Sequence, residues 1–434
     1  MEEFFAHTSE SKKWQPLKEH LENVARLCEE NCCKNDKRLG YAIGLLHDLG
    51  KYQKKFQDKL RDNKIKVDHS TFGAKTVFEQ AADAALNQIA SYAIASHHTG
   101  LVDGGRGVDI DSGTLAARLK KDFDFQNLYG DFSRELNDIS GLLPNEGSEE
   151  NFSLEDYYKD KHGFAMRYST KIRMLLSALV DADWLDTETY VQGEQKRGYN
   201  VDFKTLSEKL ENHIASFGSD TPINAARKDF SGQVLSHINS ENSLFKLDLP
   251  TGSGKTLTSM RFALKRLLAK KKKRIIYVVP YTSIIEQNAG VFKDIFGDGV
   301  VIEHHSNFET EKLTEDEASK YRFATENWDA PIIITTNLQF FESFYSDKPS
   351  QIRKLHNMAE SVVCFDELQS IPIKCLQPCY DAIKILARDY GSDMVFMTAT
   401  MPNPDKFVRL LGGAEDLVED KSKLRAYTRL AKDL

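Results

Sequence analysis

The chain has 434 residues, of which 41% are hydrophobic and 28% charged, with a formal net charge of -7. That length exceeds one ordinary core and points to two or three domains of a globular protein, not a fibrous or disordered chain. The acidic balance excludes a globally basic nucleic-acid binder but not a local basic groove, and six cysteines are too few for a disulfide scaffold.

The N-terminus MEEFFAHTSE is acidic and has no apolar h-region. No run of about 18 apolar residues follows, so no membrane span is expected and the chain reads as cytoplasmic. Residues 1–217 read as a mostly helical domain. PLKEHLENVARLCEE places Leu17, Leu21, Val24 and Cys28 at helical spacing, with His20 on the same apolar face. Cys28, Cys32 and Cys33 cluster without a CxxC pair and read as free thiols. LLHDLGK follows, with His47 and Asp48 adjacent and Lys51 one turn on; VDHSTFGAK carries His69 and IASHHTGL carries His97-His98. The polar stretch 141–163 reads as a surface excursion. STKIRMLLSALVDADWL then returns to helical spacing through Ile172, Leu176 and Leu179.

Taken singly, these histidines have ordinary readings. His20 suits a satisfied core imidazole, His69 a helix cap, and His97-His98 a helix end. Taken together, several imidazoles and carboxylates on buried faces would be costly unless they share a purpose. A dinuclear metal centre supplies one, since imidazole nitrogen and carboxylate oxygen suit Fe, Mn, Ni, Co or Zn. Adjacent residues lie about 100° apart on a helix, so His47 and Asp48 can reach one cluster, with Asp48 bridging two ions. Helical phase selects the late acid. With Leu176 at the origin, Asp183 falls within about 60° of the apolar stripe and Asp181 near 140°. Asp183 is therefore preferred over Asp181.

SFGSDTP (216–222) reads as a domain linker, and beyond it the pattern changes. SLFKLDLP, RIIYVVPY, PIIITTN, SVVCFDE and DMVFMTAT are near-continuous apolar strands separated by helical segments, the pattern of a parallel sheet covered on both faces. KKKKR (270–274) reads as a solvated helix end. In LDLPTGSGKTLTSMRFALKRLL a strand, a Gly-rich turn and a helix stand in P-loop order. There Thr251, Gly252, Ser253 and Gly254 would curl backbone N–H groups around phosphates. Lys255 would reach the β/γ-phosphates and Thr256 would bind Mg²⁺. Leu249 stands where the strict pattern has Gly. Asp366-Glu367 ends a buried strand, where Asp366 can hold Mg²⁺ through water and Glu367 can polarise the attacking water.

TGSGKT (251–256), VVPYTSIIEQNA (278–289), IITTNLQFFES (333–343), DELQ (366–369) and MTATMP (397–402) stand in the order of the superfamily 2 helicase motifs, which this half of the chain resembles. The resemblance implies that Pro280, Tyr281, Thr282 and the Thr335-Thr336-Asn337 loop contact nucleic-acid backbone. It also implies that Thr398 and Thr400 couple the ATP state to strand grip. Gln369 stands where strict DEAH proteins have His.

The set H…HD…H…HH…D resembles the HD-type metal-dependent phosphohydrolases. HDLGKYQKKFQ, DHSTFGA, SHHTGL and LVDADWLDTE resemble, more narrowly, the HD domain of the CRISPR-associated nuclease–helicases of type I systems. The fold this implies is an all-α HD-type domain (1–217), then an α/β RecA-like P-loop lobe with a parallel sheet (218–408), then the start of a connection to a second lobe (409–434). It implies that His20, His47, Asp48 and Asp183 hold one metal, that His69, His97 and His98 complete the other, and that Lys51 offsets phosphate charge. The activity implied is metal-dependent cleavage of single-stranded DNA, fed by an ATP-driven 3′-to-5′ motor. Partners implied are single-stranded DNA, an RNA-guided surveillance complex and a second helicase lobe on the full-length or a separate chain, with a phage protein inhibitor also compatible and no membrane. The alternatives are an HD phosphohydrolase of small nucleotides and a non-catalytic recruitment module.

Overall fold

The computed structural model describes residues 3–9, 13–62, 64–80, 84–110, 113–123, 125–136, 143, 152, 154–195, 197–305, 314–398, 413–420 and 427–428. It divides into two compact units, Met1–Lys196 with Ser343–His356 and Arg197–Glu342 with Asn357–Leu434.

The first unit is helical apart from an antiparallel ribbon of Phe5–His7 with Gln15–Pro16. Helix α1 (Leu17–Asn31) buries Leu17, His20, Leu21, Val24, Ala25 and Cys28, the 3.6-residue stripe its sequence spells out. That stripe packs on α2 (Lys37–Leu46) and on the long α5 (Lys161–Gln192), while α3 (Ser70–Gln80) pairs with α4 (Ala84–Ser96). Full burial of a side chain such as Leu21 or Val24 contributes roughly 1.5–3 kcal/mol. Helix α5 starts at Asp160, whose carboxylate accepts from the Gly163 N–H, and it stops at Gly193 in the left-handed region. Of the expected 141–163 excursion, Leu154–Lys159 is helix and Lys161 already opens α5; residues 141–142, 144–151 and 153 lie outside the described residues.

In the second unit, seven parallel strands form one sheet: β1 (Leu244–Asp248), β2 (Arg274–Val279), β3 (Val301–His304), β4 (Ile332–Thr336), β5 (Ser361–Asp366), β6 (Asp393–Thr398) and β7 (Glu415–Asp416). Their order is β3-β4-β2-β5-β6-β1-β7. Strands β2, β4, β5 and β6 are buried at every position, as a parallel sheet covered on both faces requires. The five strands expected from apolar runs are present, and β3 and β7 are additional. Helix α6 (Pro222–Leu235) precedes β1, and α7 (Lys255–Lys270) follows it.

The unit boundary falls after residue 196 and not after 217. The reason is packing: Leu206 and Leu210 of helix Phe203–Ala215 are buried in the same apolar cluster as Phe262 and Phe292. SFGSDTP is accordingly a helix-to-helix turn, in which Thr221 caps α6 through the Asn224 N–H and Pro222 takes its first turn. KKKKR is likewise only partly solvated, because Arg274 is buried and donates to the Asn357 carbonyl at 2.8 Å. No disulfide joins any of the six cysteines. Among the described residues no helix is long and apolar enough to cross a membrane.

Candidate metal centre and nucleotide site

Helix α2 ends at Leu46, so His47 caps it and Asp48 sits on the turn that closes it. This turn is approached closely by α3. A Cβ at Gly73 would lie 1.9 Å from the Leu46 carbonyl oxygen, so only glycine allows the contact that brings His69, at the start of α3, to the cluster.

Three histidines are oriented by acceptors that fix their tautomer. Nδ1–H of His47 donates to the Gly44 carbonyl, that of His97 to the Ile94 carbonyl, and that of His20 to Asp186 Oδ2, each at 2.7 Å. A carbonyl or carboxylate oxygen can only accept, so Nδ1 carries a proton and Nε2 is the ring nitrogen turned to the cluster. Asp48 lies at the centre. Its Oδ2 is 3.3 Å from His47 Nε2 and 3.6 Å from His20 Nε2. Its Oδ1 is 3.4 Å from His97 Nε2 and 3.8 Å from both His69 Nε2 and His98 Nε2. Asp183 Oδ1 lies 3.6 Å from His20 Nε2 and 3.7 Å from His47 Nε2. Asp181, on the other side of α5, instead accepts from Arg353 at 2.7 Å.

These donors fit divalent cations on two independent grounds. The Nε2 atoms of His20, His47 and His97 and the Oδ1 of Asp48 are buried without a hydrogen-bond partner. An unsatisfied buried polar atom costs about 1–3 kcal/mol, so four converging atoms are explained far better by a cation that takes their lone pairs. The second ground is the grouping: His20, His47, Asp48 and Asp183 bring ligand atoms within 4.8 Å of one another, and so do Asp48, His69 and His98. Both groups share Asp48, and imidazole with carboxylate is a donor set for transition metals.

Lys51 is buried, with Nζ 2.7 Å from Asp48 Oδ2. Asp186 was not singled out from sequence. It receives His20 Nδ1–H, Gln15 Nε2–H and Asn23 Nδ2–H, which completes a carboxylate–histidine relay to the cluster. The available signal was its position three residues after Asp183, on the same side of α5.

Burial disfavours the charged form of His47, but the neighbouring carboxylates of Asp48 and Asp183 outweigh it and push its pKa up to about 10. Burial pulls His69 and His97 down to about 4. His69 and His97 are therefore neutral and ready to ligate at neutral pH, whereas His47 holds a proton until about pH 10 and must release it to bind a cation. Metal binding should thus tighten as pH rises, by about tenfold per pH unit and so roughly a hundredfold between about pH 6.5 and 8.5. Mn²⁺ or Co²⁺ titrations at the two values check this; equal affinities would contradict it.

In the second unit the five helicase-like motifs fall at the C-terminal ends of strands, where open α/β sheets bind ligands. Residues 251–254 join β1 to α7, with Gly252 and Gly254 at positive φ. Arg227 of α6 donates to the Gly252 carbonyl at 3.0 and 2.6 Å. Lys255 Nζ lies 2.9 Å from Asp366 Oδ1 and 2.7 Å from Glu367 Oε1. Gln369 Nε2 and Thr398 Oγ1 both donate to Glu367 Oε2. Pro280, Tyr281 and Thr282 follow β2, and Asn337 follows β4 and donates to Ser370. Thr256 lies in the first turn of α7, and Thr400 lies outside the described residues.

With both geometries in place, family descriptions match in the same order. An HD domain matches residues 17–124, and a DEAD/DEAH box helicase matches residues 230–407. A curated relative named CRISPR-associated nuclease/helicase Cas3, from Haloferax volcanii, is 25% identical and aligns with 82% of this chain and 45% of its own length. The two domains and this relative together support a CRISPR-associated HD nuclease–helicase. A second relative, a putative CRISPR-associated nuclease/helicase Cas3 from Methanocaldococcus jannaschii, is 24% identical, with 82% of this chain and 53% of its own length aligned. The chain spans about half the length of the curated nuclease–helicases it matches. Crystal structures of T. fusca Cas3 with ATP and with AMPPNP superpose with TM-scores of 0.65 and 0.60 at 12% and 13% identity. They cover 95% and 94% of this chain and 52% and 51% of theirs, and the likeness is one of fold. The HD domain implies a divalent metal and the helicase domain implies ATP with Mg²⁺.

Proposed function

We propose that the chain is a metal-dependent nuclease for single-stranded DNA joined to the first lobe of an ATP-dependent 3′-to-5′ DNA helicase. The observation that carries this is the convergence of buried, unpartnered His20, His47 and His97 Nε2 atoms on Asp48 in a chain that also holds a P-loop facing an Asp-Glu strand end. His20, His47, Asp48 and Asp183 would hold one ion, and Asp48, His69, His97 and His98 the other. When bound, the two divalent cations lower the pKa of a water and stabilise the leaving oxygen of a phosphodiester.

The chain's own groups do the rest. Asp186 fixes the His20 tautomer, and Gly44 and Ile94 do the same for His47 and His97. His98 is the more open of the cluster imidazoles, with a side chain 38% exposed, so a DNA strand would enter on its side. Lys51 sets an ammonium against Asp48 and would offset phosphate charge. In the second unit, Lys255 would pass from Asp366 and Glu367 to the nucleotide phosphates, leaving Asp366 for Mg²⁺ and Glu367 for the attacking water. Turnover would need a second lobe, on the full-length or a separate chain. In the cell the reading places the protein with an RNA-guided type I surveillance complex, acting on the displaced DNA strand.

The purified chain with Mn²⁺, Ni²⁺ or Co²⁺ is expected to cut single-stranded DNA without ATP. Deoxynucleoside triphosphates and cyclic nucleotides run beside it as competing substrates. Hydrolysis of those with intact DNA would favour a small-nucleotide phosphohydrolase instead, and bound metal with no cleavage of any substrate would favour a recruitment module.

A further inference from the structure

We infer that the segment Tyr345–His356 braces the metal centre, with Arg353 as its positioning residue, an inference that rests on the nuclease reading above. In sequence the segment lies between the Thr335-Thr336-Asn337 loop and strand β5, inside the helicase half. In the fold it belongs to the first unit.

A single stripe of α5 holds it. Arg173 Nη1 donates to the carbonyls of Tyr345 and Ser346 at 2.9 and 2.5 Å. The Ser177 hydroxyl meets His356 Nδ1 at 2.9 Å and accepts the His356 backbone N–H at 3.0 Å. Arg353 Nε and Nη2 both donate to Asp181 Oδ1, at 2.9 and 2.7 Å, and its guanidinium stands 4.9 Å from the Trp184 ring centroid. Positions 173, 177, 181 and 184 are spaced four, four and three apart, so they lie one above another along the helix. Asp183 and Asp186 project from another side of the same two turns, toward His20.

The segment also touches the other ligand-bearing element. The Asp347 carbonyl accepts the Leu101 N–H at 2.9 Å, three residues after His98. A Cβ at Gly100 would come within 2.5 Å of that carbonyl oxygen. One segment therefore bonds α5, which carries Asp183, and the turn that leaves His97-His98.

The physical consequence concerns rotation of α5 about its axis. Asp183 Oδ1 has to meet the same ion as His20 and His47, and a ligand misplaced by about 1 Å is a poor ligand. Among the described residues, Asp183 is approached by His20 and His47, and Asp186 by His20, Gln15 and Asn23. Arg353, gripping Asp181 from the other side with both partners buried, fixes the rotation. Arg353 contacts Asp181 and Trp184, both on α5, so it acts through that helix.

The test uses the full chain and Co²⁺, whose visible absorption reports coordination. Arg353→Ala is expected to weaken Co²⁺ binding about 10- to 100-fold, as loss of an outer-shell support does, and to change the bound-Co²⁺ spectrum. Arg353→Lys, which keeps a charge on Asp181 with fewer donors, should recover part of the affinity. Melting of the metal-free proteins is measured in parallel. A lowered melting temperature with the Co²⁺ affinity and spectrum of the unaltered protein would overturn the inference, as Arg353 would then be merely structural. Should Arg353→Ala fail to fold, Ser177→Ala carries the test: weaker Co²⁺ binding supports the brace and unchanged binding overturns it. If the unaltered chain binds no Co²⁺, the nuclease reading fails, and the brace with it.

Discussion

Asp48→Asn is expected to lower metal-dependent cleavage of single-stranded DNA by about 10³-fold or more, since cations held by Asp48 and the histidines would supply several kcal/mol of charge stabilisation at about 1.4 kcal/mol per decade. Its two oxygens face different histidines: Oδ2 faces His20 and His47, and Oδ1 faces His97, His69 and His98. An asparagine keeps the shape but offers one neutral oxygen, and its NH₂ group would point a donor at a cation. The same change strands Lys51, whose ammonium lies 2.7 Å from Asp48 Oδ2 with both side chains buried. An uncompensated buried charge of this kind costs about 3–5 kcal/mol, so activity loss and instability arrive together. The double variant Asp48→Asn/Lys51→Met separates them. It should recover most of the melting temperature while still binding no metal pair and cutting no DNA. Recovery of cleavage along with stability would show that Asp48 serves the fold and not the cations.

Much of this was legible from residue order, for a reason that differs between the two halves. Parallel strands buried on both faces are apolar throughout, so β2, β4, β5 and β6 announce themselves as runs. Strand β3 does not, because Val301–His304 is a four-residue edge strand carrying Glu303 and His304. Strand β7 is two acidic residues that join the sheet only through pairing with β1, and no local pattern encodes that. The ribbon of Phe5–His7 with Gln15–Pro16 is equally short.

In the helical half, histidines stand out because imidazoles on apolar stripes are few and expensive to bury. Helical phase also separates Asp183, which faces His20, from Asp181, which does not. Asp186 has no such local signal of its role, which depends on Gln15, His20 and Asn23, more than 160 residues earlier. Arg353 is harder still. Its partner Asp181 is 172 residues away, in the other half of the sequence, and a charged pair at that separation leaves no period to read. What sequence conveys is which groups need a partner. Which partner they receive is decided by the tertiary fold.

The largest effect expected in the second unit is that of Lys255→Ala. Without nucleotide, Lys255 is held between Asp366 and Glu367 at 2.9 and 2.7 Å, so it is already aimed at the place where phosphates would meet Mg²⁺. Burial lowers its pKa, but the Asp366 charge and the hydrogen bonds Lys255 donates to Glu367 and Asp366 reverse that and raise it, so it stays cationic throughout the neutral range. Hydrogen bonds to charged groups contribute about 1.5–3 kcal/mol each. Loss of the ammonium should therefore weaken ATP binding by roughly 10- to 100-fold or more, and leave two neighbouring carboxylates without their shared counter-charge. Glu367→Gln is the informative companion, because it keeps Lys255 and Asp366 and should retain nucleotide binding while losing the group placed to polarise water. Binding of a fluorescent ATP analogue distinguishes the two variants, and DNA cleavage without ATP should be unchanged in both, since neither residue belongs to the first unit. Undiminished analogue binding by Lys255→Ala would mean that residues 251–256 are a structural turn and not a phosphate loop.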